Sequence, residues 1–278
     1  MIGGKALRKL KYFWFFLNLK VNPIKIEKIR KFMHEKDYLI AALGNYGFLE
    51  LILNWVEGLK RLKIENYAVF TPDKRLYREL SKRRINTYFL KTNIKIPKKV
   101  VNYGTLGFNK IVSFKPFITY NLLKSGISVL LSDVDIAWLE DPMKYLRKGD
   151  YDIQVQCDHD EFFRIKDIEN PYSRCNSGFY YAKSNKSTIR FFKRALQVSW
   201  IALDNGDQAH FNWAARFYRR FMKIRVLDPL KFPNGNIYFK KNKEFKKFKS
   251  KPVIIHVNWI VGNDKKINAM KKHNLWNL

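Results

Sequence analysis

The feature that most constrains this fold is an alternation of short aliphatic strands and longer helices along the first half of the chain. The segments "DYLIAAL" (Asp37–Leu43), "NYAVFT" (Asn66–Thr71) and "NTYFLK" (Asn86–Lys91) predict strands. Helical patterns over Phe48–Leu62 and Lys74–Arg84 separate them. This alternation predicts an α/β domain with a mostly parallel sheet.

The strand that follows is predicted to be covered on both faces. A predicted helix over Phe108–Lys124 ends at Ser125-Gly126 and leads into "ISVLL" (Ile127–Leu131). This run lacks polar alternation beyond Ser128, as expected for a strand buried on both sides.

The second half predicts further strands and helices without a linker between the halves. No stretch rich in Pro, Gly or Ser divides it from the first half, and no internal repeat is visible. We therefore predict one domain over residues 37–278, preceded by a basic, aromatic segment over residues 1–36. The predicted elements are the strands "YDIQVQCD", "SGFYYAKS", "KIRVLD" and "KPVIIHVNW" and the helices Thr188–Leu203 and Gln208–Arg220.

Charge and cysteine content limit the environment and the partners. The 54 Lys and Arg residues against 24 Asp and Glu create a positive field that attracts phosphates, acidic glycans, nucleic acid or anionic membranes. Because the lysines are spread along the chain, we expect no specific nucleic-acid partner. Cys157 and Cys175 could pair in an oxidising compartment, but two cysteines are too few for a disulfide framework, and we expect them to be reduced and intracellular.

The aromatic segment "YFWFFLNL" (Tyr12–Leu19) is too short to cross a bilayer. Three alternatives stay open for it: contact with an anionic membrane surface, a signal-like segment without an obvious small-residue cleavage site, or docking on the core of the domain. We expect a cytoplasmic protein without a transmembrane anchor, with peripheral membrane contact through this segment as the open alternative.

Asp133 and Asp135 follow the buried strand in "VLLSDVD" and are two positions apart. If strand geometry persists, their side chains point to the same side. Ligands of open α/β sheets bind at the carboxyl ends of the strands, and a divalent cation would relieve the repulsion between two carboxylates. A helix cap or an ordinary turn would use the same residues, so the pair alone is weak evidence of a metal site.

Six segments occur along the chain in a fixed order: "NYGTLGFNK", "SGISVLLSDVDIAWLEDP", "CNSGFYYAKSNKST", "DQAHFN", "LDPLKFPNGNIYF" and "HVNWIVGNDKK". In this combination they resemble the nucleotide-diphospho-sugar transferase family, which includes plant xylosyl-, arabinosyl- and galactosyltransferases of glycosyltransferase family 77. The resemblance covers about residues 37–276. It implies a GT-A fold, with a single Rossmann-like domain around a central mixed, mostly parallel sheet, together with a UDP-sugar donor and a divalent metal, usually Mn²⁺.

By this resemblance Asp135 and His256 are metal ligands, and Asp133 binds either the metal, as a third ligand, or the ribose of the nucleotide. An imidazole beside two carboxylates suits Mn²⁺ better than Mg²⁺, which prefers oxygen ligands alone. Without the resemblance, a lone histidine after the apolar strand "VIIHV" would more often be a core residue with satisfied hydrogen bonds.

The resemblance also places residues around the donor. Gly44 and Asn45 match the turn that receives the nucleotide, although a simple turn would use the same residues. A glycine-containing loop that opens a helix, as at Gly262, can present N–H groups to phosphate. The full predicted donor set is Gly44, Asn45, Lys110, Asp133, Asn176, Gly178, Gln208, Gly262 and Lys266.

Two carboxylates are candidates for catalysis, Asp207 and Asp158, and the sequence does not choose between them. Asp207 opens a predicted helix, so its alternative is a helix cap. A pocket walled by Phe179–Tyr181 would exclude the C6 group of hexoses, which favours UDP-xylose as donor.

The activity implied by the resemblance is therefore xylosyl transfer from a UDP-sugar to a hydroxyl of a glycan or glycoprotein. Alternatives from the same fold are galactosyl and arabinosyl transfer. From other classes, a metal-dependent nuclease and a non-catalytic glycan- or membrane-surface-binding module remain open.

Overall fold

The main sheet has seven strands. The computed structural model describes residues 19–93, 105–158, 175–201 and 206–278. Within them the strand order is β3-β2-β1-β4-β7-β6-β8, in which only β7 runs antiparallel to both of its neighbours. The sheet is thus mixed and mostly parallel, as predicted. Its strands are β1 (Tyr38–Leu43), β2 (Tyr67–Thr71), β3 (Thr87–Phe89), β4 (Ser128–Ser132), β6 (Ile153–Cys157), β7 (Cys175–Ala182) and β8 (Ile224–Val226).

A second sheet pairs β5 (Ile136–Trp138) antiparallel with β9 (Ile254–His256). Helices cover the main sheet: α1 (Ile26–Arg30), α2 (Leu49–Arg61), α3 (Lys74–Lys82), α4 (Leu106–Val112), α5 (Phe114–Lys124), α6 (Met143–Leu146), α7 (Lys186–Ile201), α8 (Gly206–Tyr218), α9 (Asn242–Lys247) and α10 (Asn263–Lys272). Tyr46–Phe48 form a 3₁₀ turn, and Asn236–Lys240 form a π-helical turn.

Alternating residues of β1 enter two separate cores. Leu39 and Ala41 pack in the cluster beneath α5, α7 and α8, whereas Ile40 and Ala42 pack in the cluster beneath α2 and the small sheet. Every residue of β1, β2 and β4 is buried. The prediction of strands covered on both faces is therefore confirmed, and the polar ends of these strands meet at one edge of the sheet.

The prediction of one continuous helix over Phe108–Lys124 is wrong. The segment over Phe108–Lys124 forms two helices, α4 and α5, that break at Ser113. Pro116 in the first turn of α5 has no N–H to donate to the carbonyl of Val112, so the hydrogen-bond ladder cannot run through this point.

Part of the predicted N-terminal segment packs on the domain. Ile24, Ile29 and Met33 are buried in the same cluster as β1, and Val21 forms a β-bridge with Thr92. Of the aromatic stretch Tyr12–Leu19, all but Leu19 lies outside the described residues. Among the residues that the structure describes, no helix is both long and apolar enough to span a bilayer.

Candidate functional site

A cleft of about 440 Å³ opens at the sheet edge where β1, β4 and β6 end and β7 begins. Loops after β1 and β4, the start of α8 and the segment from β9 to α10 form its walls. The predicted residues that line it are Gly44, Asp133, Asp135, Asp158, Asn176, Gly178, Asp207, Gln208, His256, Gly262 and Lys266. The structure thus brings most of the predicted site together.

Asp133 and Asp135 lie in the turn between β4 and β5 rather than in a strand. Their carboxylates still converge: Oδ1 of Asp135 lies 3.3 Å from Nε2 of His256, and Oδ2 of Asp133 lies 3.8 Å from the same nitrogen. One ligand atom from each of the three residues falls within 4.8 Å of the others. We call these three residues, together with Lys115, Asp207 and Lys266, the charged corner.

A buried lysine holds two of the carboxylates. Nζ of Lys115 lies 2.7 Å from Oδ1 of Asp133 and 3.2 Å from Oδ2 of Asp207. Burial lowers the pKa of this ammonium, but the two carboxylates raise it by more, so its pKa stands above its usual range. Lys115 is therefore a permanent cation that ties the β4 turn to the start of α8.

The two acids of the pair differ in their surroundings. Burial raises the pKa of Asp133, and neighbouring Asp135 adds to this effect while Lys115 opposes it. Burial also acts to raise the pKa of Asp135, but Lys266, which hydrogen-bonds its Oδ2, and His256 lower it well below its usual range. Asp135 is thus the more firmly ionised of the two.

The position of His256 depends on the small sheet. His256 is the register partner of Ile136, and the N–H of Val257 donates to the carbonyl of Asp135 at 2.9 Å. This antiparallel pairing brings the end of β9 against the turn that carries Asp133 and Asp135.

Gln156 orients the imidazole. Its Nε2 donates to the carbonyls of Phe232 (3.0 Å) and Pro233 (3.1 Å), so its Oε1 faces Nδ1 of His256 at 2.7 Å. Nδ1 must then carry a proton, and Nε2 faces the two carboxylates, where the neutral imidazole can offer its lone pair to a cation.

These residues fit a divalent cation. Three possible ligand atoms, one from each residue, lie within 4.8 Å of one another, so a single cation could contact all three. The charged corner also has three carboxylates against two ammonium groups, so it carries an excess negative charge in a buried place. Two carboxylates and one imidazole form a ligand set that suits Mn²⁺ and other transition metals.

Gly178 allows this close approach. A Cβ atom at this position would lie 2.5 Å from Oδ2 of Asp133 and 2.5 Å from Cε1 of His256, closer than side chains tolerate. The carbonyl of Gly178 accepts a hydrogen bond from the N–H of Asp133 at 2.7 Å, and its own N–H donates to Oδ1 of Asn176 at 2.9 Å. A glycine is therefore required where β7 passes the carboxylates.

The two candidate catalytic carboxylates are held differently. Asp207 accepts from Ser177 Oγ at 2.7 Å and pairs with Lys115, and it is buried. Asp158 accepts from Nδ2 of Asn176 at 2.9 Å and from Nε2 of Gln208 at 2.8 Å. Both acids therefore lie in the cleft wall, but only Asp158 is bound by residues that the sequence placed near the donor.

The helix α10 begins at the cleft. Gly262 has φ +99°, a conformation that favours glycine, and Asn263 and Lys266 in the first turn line the cleft. Nδ2 of Asn263 donates to the carbonyl of Gly47 at 2.7 Å, which ties this turn to the loop after β1. The predicted glycine loop that opens a helix is thus present.

Some predicted residues lie elsewhere. Asn45, which is buried, and Lys110, whose pKa is lowered by burial, are not among the residues that line the cleft, so their roles stay predictions. Phe179, Tyr180 and Tyr181 pack into the two cores and do not line the cleft, which removes the predicted aromatic wall. Alternation along β7 sends successive side chains to opposite faces of the sheet.

Sequence reasoning missed Lys115, Gln156 and Ser177. Each is a polar residue on a largely apolar helix or strand, and each is buried. Lys115 could have been found from its place in the apolar helical run "FKPFITYNLL". A lysine there indicates a buried acidic partner, because lysine is rarely buried without one.

Comparisons with known proteins match most of the chain. The protein-family model described as nucleotide-diphospho-sugar transferase matches residues 62–270. A UDP-D-xylose:L-fucose alpha-1,3-D-xylosyltransferase of Arabidopsis thaliana is 28% identical over 88% of this chain and 68% of its own length. A UDP-galactose:fucoside alpha-3-galactosyltransferase of Dictyostelium discoideum is 24% identical over 90% of this chain and 44% of its own length.

Among solved structures, the bifunctional glycosyltransferase WbbM in its apo form superposes with a TM-score of 0.52. It is 13% identical and covers 84% of this chain and 47% of its own. A likeness at this identity concerns the fold alone.

Proposed function

Since this chain belongs to the nucleotide-diphospho-sugar transferase family, we propose that it is a metal-dependent glycosyltransferase that transfers xylose from UDP-xylose to a hydroxyl of a fucose-containing glycan. The observation that carries the proposal is the convergence of Asp133, Asp135 and His256 at the bottom of the cleft, beside Lys266 and the first turn of α10. The GT-A fold places this site at the carboxyl ends of the central strands.

Asp133, Asp135 and His256 would hold the cation, and we propose Mn²⁺ because an imidazole is among the ligands. When bound, the cation neutralises charge on the leaving diphosphate. The chain supplies further positive charge from Lys266 and N–H groups from the first turn of α10, after Gly262. The apolar residues Phe48, Leu51 and Phe108 of the cleft then offer a surface for the nucleoside.

For the reacting sugar, we propose that Asp158 rather than Asp207 contacts the donor. Asp207 is buried, and Lys115 and Ser177 bind its Oδ2, which gives that residue a positioning role between β7 and α5, whereas Asp158 is partly exposed in the cleft. Asn176 and Gln208 hold Asp158 in the cleft wall, and these amides also have polar groups suited to sugar hydroxyls. Asp158→Asn should then lower kcat with the fold intact, whereas Asp207→Asn should lower thermal stability as well.

The donor and acceptor are proposed from the relatives. The xylosyl and galactosyl relatives share an acceptor of the fucose type and differ in the donor. The identity to the xylosyltransferase is slightly higher and spans more of that relative's length, which supports a pentose donor.

The experiment is to measure UDP release from UDP-xylose, UDP-arabinose, UDP-galactose and UDP-glucose at equal concentrations in Mn²⁺, with and without methyl α-L-fucoside. We expect the highest rate with UDP-xylose and stimulation by the fucoside. A clear preference for a hexose donor would overturn the xylose assignment and leave the glycosyltransferase assignment intact. Absence of both UDP release and Mn²⁺-dependent UDP binding by calorimetry would overturn the whole proposal.

A further inference from the structure

Three aromatic side chains form an exposed line near the C-terminal end of α8, away from the cleft. Trp213, Phe217 and Phe221, which we call the aromatic ridge, are 42%, 59% and 71% exposed. Their spacing of four residues keeps them near one face of the helix and of the turn that follows it. The rings of Trp213 and Phe217 are almost parallel, at 5° and 6.1 Å between centroids.

The ridge is not an extension of the core. The opposite face of α8 presents Phe211, Ala214 and Ala215 to the core beneath α7. That face already satisfies the packing of the helix, so the ridge adds apolar surface in water without an intramolecular partner for Phe221 among the described side chains.

Positive charge lies next to the ridge, on α7 and along α8. The guanidinium of Arg194, on α7, lies 5.1 Å from the ring centroid of Trp213. Asp207 is the one acidic residue in the described parts of 186–225, and it is buried against Lys115. The exposed cations Lys193, Arg194, Arg216 and Arg220 form no ion pair within the described part of the chain.

We propose that the aromatic ridge and these cations dock the protein on an anionic lipid bilayer. Phenylalanine and tryptophan partition into the boundary between headgroups and acyl chains, and arginine and lysine beside them bind lipid phosphates and carboxylates. Phe217 and Phe221 have no polar atoms, so burial in that boundary removes their full apolar surface from water.

Other polyanions fit the ridge less well. Single-stranded nucleic acid is bound in grooves that offer ring faces for stacking, whereas Trp213 and Phe217 are exposed on the surface of one helix with their ring planes almost parallel. A neutral glycan would use the rings but not the four cations. Gln208, which lines the cleft, and Phe217 are about 14 Å apart along the helix axis, so docking leaves the cleft open.

Vesicle flotation of the full chain tests the proposal. We expect binding to vesicles of phosphatidylserine and phosphatidylcholine and weak binding to phosphatidylcholine alone. Phe217→Ser/Phe221→Ser should lower the partition coefficient by roughly tenfold or more. The matched control is Phe248→Ser, because Phe248 is 42% exposed and lies among Lys246, Lys247 and Lys249, and we expect it to bind like the wild type.

A second variant keeps the aromatic rings. Arg216→Gln/Arg220→Gln should lower binding to the anionic vesicles on the order of tenfold, with Lys246→Gln/Lys247→Gln as its matched control. Brominated lipids should also quench the tryptophan fluorescence of the wild type more than that of Trp213→Phe, because only the wild type has an indole ring at the ridge. UDP release in the absence of vesicles should be unchanged in every ridge variant, which separates this proposal from the proposed activity.

Three results would overturn the docking proposal. One is equal binding of the wild type to neutral and anionic vesicles, or binding to neither. Another is wild-type binding by both ridge variants, which would place membrane contact elsewhere in the chain. The third is loss of binding to a polynucleotide or a neutral glycan in the ridge variants while the wild type ignores vesicles.

Discussion

The two ends of α8 lie beside cations in opposite settings. At its start, Asp207 pairs with Lys115, and both side chains are almost completely buried. Near its other end, Arg216 and Arg220 are exposed and lie beside the aromatic ridge. Cations are thus present at both ends, but only the first is surrounded by carboxylates.

This difference in burial decides what each charge does. Removal of one partner from a buried pair leaves an uncompensated charge in a poorly solvated place, whereas water and salt screen an exposed charge. We therefore expect changes in the charged corner to affect catalysis and folding, and changes at the ridge to affect only association with another surface.

The largest effect should follow from Asp135→Asn, which removes the more firmly ionised ligand while keeping the shape of the side chain. UDP release in Mn²⁺ should fall by roughly 10³-fold, the effect expected when stabilisation of the leaving diphosphate is lost. Circular dichroism should show an unchanged fold. The control is Asp141→Asn, whose carboxylate caps the N–H of Met143 and does not line the cleft. Retention of more than a tenth of the activity in Asp135→Asn would contradict the metal assignment.

The next effect concerns folding. Lys115→Met keeps the length of the side chain but leaves Asp133 and Asp207 without their shared cation, so the free energy of unfolding should fall by about 3 kcal/mol. Urea denaturation measures this change. Lys124→Met on the same helix is the control, because Lys124 is exposed and its loss should have little effect.

A further variant tests the cause of that loss. Adding Asp207→Asn to Lys115→Met removes one of the two uncompensated charges and should recover part of the stability. A loss below 1 kcal/mol in the single variant, or no recovery in the double one, would show that the pair is better solvated than its burial indicates.

Gly178→Ala tests whether the charged corner has space for a side chain at position 178, without changing any charge. The added methyl group would lie 2.5 Å from an oxygen of Asp133, so β7 or the carboxylate must shift, at about 2 kcal/mol of stability. Mn²⁺-supported UDP binding should weaken, as calorimetry can measure. Gly58→Ala is the comparison, since its nearest neighbour would be 3.2 Å away and alanine favours the helix. If the two variants have equal stability and equal UDP affinity, the close approach of Gly178 to Asp133 and His256 does not require a glycine.

Gln156→Leu tests the orientation of His256. Loss of the acceptor for Nδ1 should lower Mn²⁺ affinity by roughly tenfold, as expected for a residue that positions a ligand. Gln154→Leu is a matched control on the same strand: Gln154 is equally buried and hydrogen-bonds the carbonyl of Leu146. Both variants should lose stability, but only Gln156→Leu should lose metal affinity. If the two match in metal affinity, Gln156 has no special role at the site.

Local sequence patterns predicted the parallel half of the sheet because each of its strands is a single apolar run between turn residues. The same reasoning joined α4 and α5, since helical periodicity outweighed the single proline in "VSFKPF". It also gave the position of Asp133 and Asp135, because the end of a buried strand is visible in "VLLSDVD".

The rest of the site depends on contacts between distant segments, which no local pattern contains. His256 reaches the acids only because β9 pairs antiparallel with β5, and β5 follows Asp135 directly. Lys115 meets Asp207 across 92 positions of sequence, through the packing of the sheet on its helices. The family resemblance supplied His256 and Asp207, whereas periodicity alone favoured a core histidine and a helix cap.

The smallest effect on folding should come from Arg216→Gln/Arg220→Gln at the ridge. Both arginines are exposed and lack a carboxylate partner among the described residues, so the free energy of unfolding should change by no more than about 0.5 kcal/mol. This variant removes two positive charges, one more than Lys115→Met, and its stability should nevertheless stay near that of the wild type. Urea denaturation of the two variants side by side therefore shows whether the loss of stability depends on the burial of the removed charge or on the number of charges removed. A loss at the ridge as large as that of Lys115→Met would mean that these arginines support the fold, and the contrast between the two ends of α8 would then no longer hold.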